Sequence, residues 1–66
     1  MAMKDRLKAE REKKGLTQVE VAKDLGIAQP TITKYERGIK KPSTDMLVVL
    51  ADYYGVTTDY LLKGKD

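Results

Sequence analysis

Five glycines punctuate the chain, and each of them (Gly15, Gly26, Gly38, Gly55 and Gly64) follows a segment with helical patterning. A glycine just past the last turn stops a helix, because it accepts the left-handed backbone that a Cβ disfavours. Five such stops predict five short helices. No window alternates apolar and polar residues for long enough to predict a strand. The 66 residues make one domain, 1–66. A chain of this size buries only about 60% of its unfolded surface, which predicts modest stability.

The stretch Gln18–Arg37 reads as a helix, a tight turn at Gly26 and a second helix. Ala22 is a small residue where another helix can cross closely. Ile32 is placed one turn into the second helix to pack back over it. Val21, Leu25, Ile27 and Tyr35 complete an apolar seam. Thr17 is the predicted N-cap of helix 2, with Glu20 three residues on to close a capping box. Leu16 and Val21 are spaced for a hydrophobic staple across that cap. The start of helix 3 has two solutions. Either Ala28 caps it weakly, or Gln29 caps it with Pro30 at the first helical position, where a proline is tolerated. In both, Ile32, Tyr35 and Glu36 face inward, and Gln29, Pro30, Thr33, Lys34 and Arg37 face outward.

Helix 1 is expected over Met3–Lys14, charged and held by packing through Met3 and Leu7, with Ala9 or the stem of Arg11 extending the stripe. Ser43 caps helix 4, in which Leu47, Leu50, Ala51 and Tyr54 fall at i, i+3, i+4 and i+7. Met46, Val48, Val49 and Tyr53 widen that arc, so helix 4 is expected to be the central buried element. Thr57 caps a last helix, Thr58–Lys63, with Leu61 and Leu62 turned inward.

Composition excludes several classes of function. The chain has no histidine and no cysteine, so thiolate and imidazole metal sites and disulfides are ruled out. There is no phosphate-cradling glycine loop and no carboxylate pair in an apolar setting, so neither catalysis nor a cofactor is expected. The longest apolar run, Met46–Ala51, is far short of the ~20 residues of a membrane span. The N-terminus alternates charge and does not read as a signal peptide. The expected compartment is the reducing cytoplasm.

Net charge is +3, and it is unevenly placed. Residues 34–41 carry four cations against Glu36, while residues 42–66 carry two lysines against four aspartates. Positive density therefore sits at the end of helix 3 and in the loop after it. Taken alone, a lysine run is most often a solvated surface. The outward stripe of helix 3 narrows the choice. Glutamine pairs with the adenine edge, lysine reaches guanine acceptors, and the methyl or ring carbons of threonine and proline meet the thymine methyl. Gln29, Pro30, Thr33 and Lys34 are the predicted base readers of a major groove. Arg37, Lys40 and Lys41, with Gln18 at the start of helix 2, are the predicted phosphate contacts. The inward Glu36 needs a partner, since an unpaired buried charge is costly, and Arg11 is placed to supply it. That pair is read as structural.

These residues resemble a family. Gly15-Leu16-Thr17-Gln18, Val21-Ala22, Leu25-Gly26-Ile27, Gln29, Ile32, Tyr35-Glu36-Arg37-Gly38 and Pro42-Ser43 resemble the helix-turn-helix domain of phage repressor, Cro and Xre-type regulators. Leu47, Leu50-Ala51, Gly55-Val56 and Asp59-Tyr60-Leu61-Leu62 extend the match over nearly the whole chain. The resemblance implies an all-α, five-helix, lambda-repressor-like DNA-binding domain, with the helix-turn-helix at helices 2 and 3 and helix 3 in the major groove. It implies that Gln18 and Gln29 act near each other, and that an ion pair joins Arg11 to Glu36. The chain departs from the family at Ala28, where serine or threonine is usual. It departs at Pro30, often a polar base reader, and at Glu10, often apolar.

The expected function is sequence-specific recognition of double-stranded DNA by a transcriptional repressor acting as a homodimer on a pseudo-palindromic operator. Val56, Tyr60, Leu61 and Leu62 are the apolar surface proposed for dimerisation. No small-molecule site is evident. The alternative is a protein-binding module of the same fold, such as an antitoxin or adaptor. The basic segment Lys34–Lys41 argues against that alternative, while Ala28 and Pro30 argue faintly for it.

Overall fold

A computed structural model describes residues 1–65 and places them in five helices: α1 (Met3–Lys13), α2 (Gln18–Leu25), α3 (Gln29–Arg37), α4 (Thr44–Tyr54) and α5 (Thr58–Lys63). Side chains set the entries to three of them. Thr17 Oγ1 accepts from the Glu20 N–H at 3.1 Å while Glu20 Oε1 accepts from the Thr17 N–H at 2.9 Å, closing the capping box of α2. Ser43 and Thr57 accept from Met46 and Tyr60 in the same way. The entry to α3 resolves to Ala28 as N-cap, without a side-chain bond, and Pro30 lies at the second helical position. The turn between α2 and α3 rests on Gly26 at φ +69°, a conformation in which L side chains are strained.

Each helix buries one stripe, and the stripes meet in one core: Leu7, Val21, Ala22, Ile32, Tyr35, Leu47, Leu50, Ala51, Tyr54 and Leu61. Packing of α2 on α3 is the most extensive, and α1 lies against both α3 and α5. The α2–α3 pair is thereby backed on its inner side, and its outer side is left to solvent. Tyr53 Oη donates to Asp24 Oδ2 at 2.6 Å and ties α4 to the last turn of α2.

Two expectations about the core are corrected. α4 is not buried across its whole apolar arc, because Val48 and Val49 are 46% and 42% exposed. Leu62 is 49% exposed, while its neighbour Leu61 is fully buried. The reason is the same in both helices. Successive residues lie about 100° apart, and so small a domain has too few elements to cover more than one stripe of a helix. The apolar surface proposed for dimerisation divides accordingly. Leu61 is used up by the core, Val56 and Tyr60 pack partly against it, and Leu62 stands free.

α1 buries Arg6 and Glu10 beside Leu7. The patterning of apolar residues gave no sign of Arg6, which reaches across to the end of α5. Its Nε donates to the Leu61 carbonyl at 3.0 Å, Nη2 to that of Leu62 at 3.0 Å, and Nη1 to that of Met1 at 2.6 Å. Carbonyls in the last turn of a helix have no intrahelical donor. The guanidinium supplies two of those donors and places a cation at the negative end of the helix dipole.

Candidate nucleic-acid interface

The outer side of the α2–α3 pair is built from two helix N-termini set side by side. In α2 the Thr17 hydroxyl takes the N–H of Glu20, and helical geometry leaves the N–H groups of Gln18 and Val19 without intrahelical acceptors. Such groups, at the positive end of a helix dipole, suit a phosphate. In α3, Gln29, Thr33 and Arg37 are four residues apart and share a face, with Pro30 and Lys34 beside them. Pro30, Lys34, Arg37, Lys40 and Lys41 are exposed; Gln18, Gln29 and Thr33 are half-buried.

Those three half-buried residues touch. Gln29 Nε2 donates to Gln18 Oε1 at 3.0 Å and to Thr33 Oγ1 at 2.8 Å. Thr33 Oγ1 donates to Gln18 Oε1 at 2.6 Å. Behind them, Gln18 Nε2 donates to Glu36 Oε1 at 3.2 Å. Glu36 in turn forms a two-pronged ion pair with Arg11, Nε to Oε2 at 2.8 Å and Nη2 to Oε1 at 2.9 Å. The side chains of this pair are only 12% and 4% exposed. Arg11 Nη1 also donates to the Leu16 carbonyl at 2.8 Å, which fixes the chain where it enters α2. The hydrogen bond to Glu36 outweighs desolvation and holds the Arg11 guanidinium above its ordinary range. Tyr54, buried beside these charges, is raised as well, first by desolvation and then by the charge of Glu36.

The loop after α3 adds cations that reading the sequence found only in part. Lys40 and Lys41 line a recess of about 190 Å³ together with Ala2, Met3, Lys4, Tyr35 and Gly38. The Lys4 stem crosses directly over Gly38, where a Cβ would lie 2.7 Å from its Cδ. Lys4 thus joins the loop lysines from the other end of the chain. No periodicity or motif signals that, because the approach is made by folding alone. Its amino group rests on Asp5 Oδ1 at 3.3 Å, a half-exposed pair that holds it weakly. No motif signals the bond from Gln18 to Glu36 either, because it joins the outer face to the ion pair only through the packing of α2 on α3. Among the described residues, no helix is long and apolar enough to cross a membrane, and no cluster of acidic side chains is placed to hold a metal ion.

The helix-turn-helix family pattern matches residues 7–61, which includes every one of these helices except the first turn of α1 and the end of α5. The chain belongs to this helix-turn-helix family. Among helix-turn-helix relatives, the transcriptional regulator ImmR of Bacillus subtilis is 47% identical over 66 residues, covering 100% of this chain and 51% of that protein. Repressor protein C2 of Salmonella phage P22 is 32% identical over 62 residues, covering 94% of this chain and 29% of the repressor. The chain thus spans about half the length, or less, of the curated relatives it matches. The crystal structure of the P22 c2 repressor in complex with a synthetic operator superposes with a TM-score of 0.92 at 31% identity, covering 98% of each chain. The five helices and their order are those of this repressor fold.

Proposed function

We propose that this chain is the DNA-reading domain of a transcriptional regulator, most simply a repressor, with α3 lying in the major groove of double-stranded DNA. The observation that carries the reading is the face of α3. Gln29 and Thr33 are held beside Gln18 in a hydrogen-bonded group, flanked by exposed Lys34 and Arg37 and continued by Lys40 and Lys41. Donors and acceptors ordered on a helix face serve base edges, and the flanking cations serve phosphates. The operator complex of the P22 c2 repressor and the regulators among its relatives support the same reading.

Gln29, Pro30, Thr33 and Lys34 are assigned to base edges, with Pro30 restricted to apolar contact. Gln18, Arg37, Lys40 and Lys41 are assigned to phosphates. One such domain makes few contacts, so two copies related by a two-fold axis are assigned to half-sites about one helical turn apart. No catalytic step is assigned to the domain.

Selection of preferred sites from a random duplex pool, followed by titration of the winner against an unrelated duplex at several salt concentrations, tests this reading. The expected result is a two-fold symmetric consensus and an affinity that falls steeply with salt. Absence of duplex binding even at low salt would overturn it in favour of a protein-binding module.

A further inference from the structure

The reading face has a direction, and it is set from the core. An ionised carboxylate only accepts hydrogen bonds, whereas a glutamine side chain donates at one end and accepts at the other. Both Glu36 oxygens accept from Arg11 in a buried ion pair, and Oε1 also faces Gln18 at 3.2 Å. Gln18 must therefore turn its NH₂ inward. Its carbonyl oxygen then points at α3, where it accepts from Thr33 Oγ1 at 2.6 Å and from Gln29 Nε2 at 3.0 Å. Gln29 must turn its NH₂ toward Gln18, which leaves its own carbonyl oxygen outward. Each amide orientation in the series follows from the one before it, and the first follows from a buried charge.

We infer that Glu36 is a positioning residue for base recognition, acting through Gln18 to fix the donor–acceptor polarity of Gln29, so that Gln29 accepts adenine and rejects guanine. This rests on the proposed function above. Adenine offers an amino donor and the N7 acceptor, and guanine offers two acceptors, O6 and N7. A Gln29 that presents its carbonyl oxygen at the exocyclic position accepts from the adenine amino group. The N–H now spent on Thr33 is released to N7. The same carbonyl oxygen repels guanine O6. If the amide is free to rotate, it can donate to O6, and the distinction fades.

The ion pair itself is poor ground for a test, since Glu36→Gln leaves Arg11 buried without its counter-charge and is expected to destabilise the fold. Gln18→Met breaks the relay and keeps both the ion pair and the bulk of the side chain. The domain is titrated, as wild type and as Gln18→Met, against its preferred duplex and against the same duplex with the adenine opposite Gln29 changed to guanine. Wild type is expected to prefer adenine by about tenfold or more, within the usual range for one mismatched pair. In Gln18→Met that ratio should fall to near one. Both duplexes also lose affinity together, because a phosphate contact goes with the side chain. Side-chain amide NMR signals of Gln29, read without DNA, should shift in the same variant. A ratio that survives in Gln18→Met, with affinity lowered equally on both duplexes, would overturn the inference and leave the DNA-binding reading intact. Failure of wild type to bind any duplex would overturn both.

Discussion

Arg6 donates from Nε to the carbonyl oxygen of Leu61 at 3.0 Å, joining the first helix to the last across 55 residues of sequence. With the bonds to Leu62 and Met1, the guanidinium closes the fold at its two chain ends. Its neighbour on α1, Arg11, does the equivalent at the other end of that helix by holding Glu36 of α3. One charged helix thus supports α5 through one arginine and α3 through another.

Arg6→Met keeps the buried stem and removes all three bonds. Hydrogen bonds to charged groups contribute about 1.5–3 kcal/mol, and here two helix-terminal carbonyls lose their donor together. The expected loss is about 2–4 kcal/mol in urea unfolding, with hydrogen exchange rising first in α5. Unchanged stability would mean that water replaces the guanidinium without penalty.

Two caps predict changes of opposite sign. Thr17→Ala removes a bonded cap and should cost about 1 kcal/mol. Ala28→Ser adds a side-chain cap on a residue already in extended geometry, but the Thr31 N–H it would take already donates to the Ala28 carbonyl at 3.0 Å, so the gain should be at most about 0.5 kcal/mol. Thermal unfolding of the two variants reads both effects. A loss in each case would show that the Ala28 backbone cannot aim a hydroxyl at the N–H of Thr31.

The outer face predicts two classes of binding defect. Gln29→Ala or Lys34→Ala should cost about 1–3 kcal/mol on the preferred duplex and relax its sequence at the base concerned. Lys40→Ala or Lys41→Ala should weaken binding to all duplexes and lower the logarithmic salt slope by about one each. If all four behaved alike in a salt series, the division between base readers and phosphate contacts would be wrong.

Tyr53 predicts alkaline instability. Burial and the bond to Asp24 push its hydroxyl up to about 12 from an ordinary value near 10. Below pH 10 the hydroxyl is protonated in both folded and unfolded chains, and its contribution to stability is fully present. Between about 10 and 12 the unfolded chain gives up a proton that the folded chain keeps, so stability falls as pH rises through that window. Tyr54, raised in the same direction, adds to the fall. Tyr53→Phe should remove part of the pH dependence, leaving the part due to Tyr54. Urea midpoints measured across the window give the slope, and a flat profile would contradict the assignment.

Local chemistry determined the elements. Thr17 with Glu20, Ser43, Thr57 and the αL glycines at Gly26, Gly38 and Gly55 act within about four residues of themselves, so the entries to α2, α4 and α5 and the ends of α2, α3 and α4 were legible before any fold was known, while the start of α3 was left between Ala28 and Gln29. The inward stripe of α3 was equally plain, because Tyr35 and Glu36 follow Ile32 by one turn. Even the partnership of Arg11 with Glu36 could be argued from the need of a buried charge for its opposite.

Tertiary structure decided what depends on neighbours far away in the chain. Which flank of α4 lies open, and that Leu62 faces solvent while Leu61 does not, follows from how few helices there are to cover them. That Arg6 is buried follows from unpaired carbonyls some fifty residues on. That Lys4 joins Lys40 and Lys41 follows from its crossing of Gly38. The direction of the reading face belongs here too. Hydrogen-bond polarity passes from Glu36 to Gln18 to Gln29 only when α2 and α3 pack to bring those groups within about 3 Å. Capping and periodicity act along the chain and can be read from it, whereas burial and hydrogen-bond direction act through space and exist only once the chain has packed.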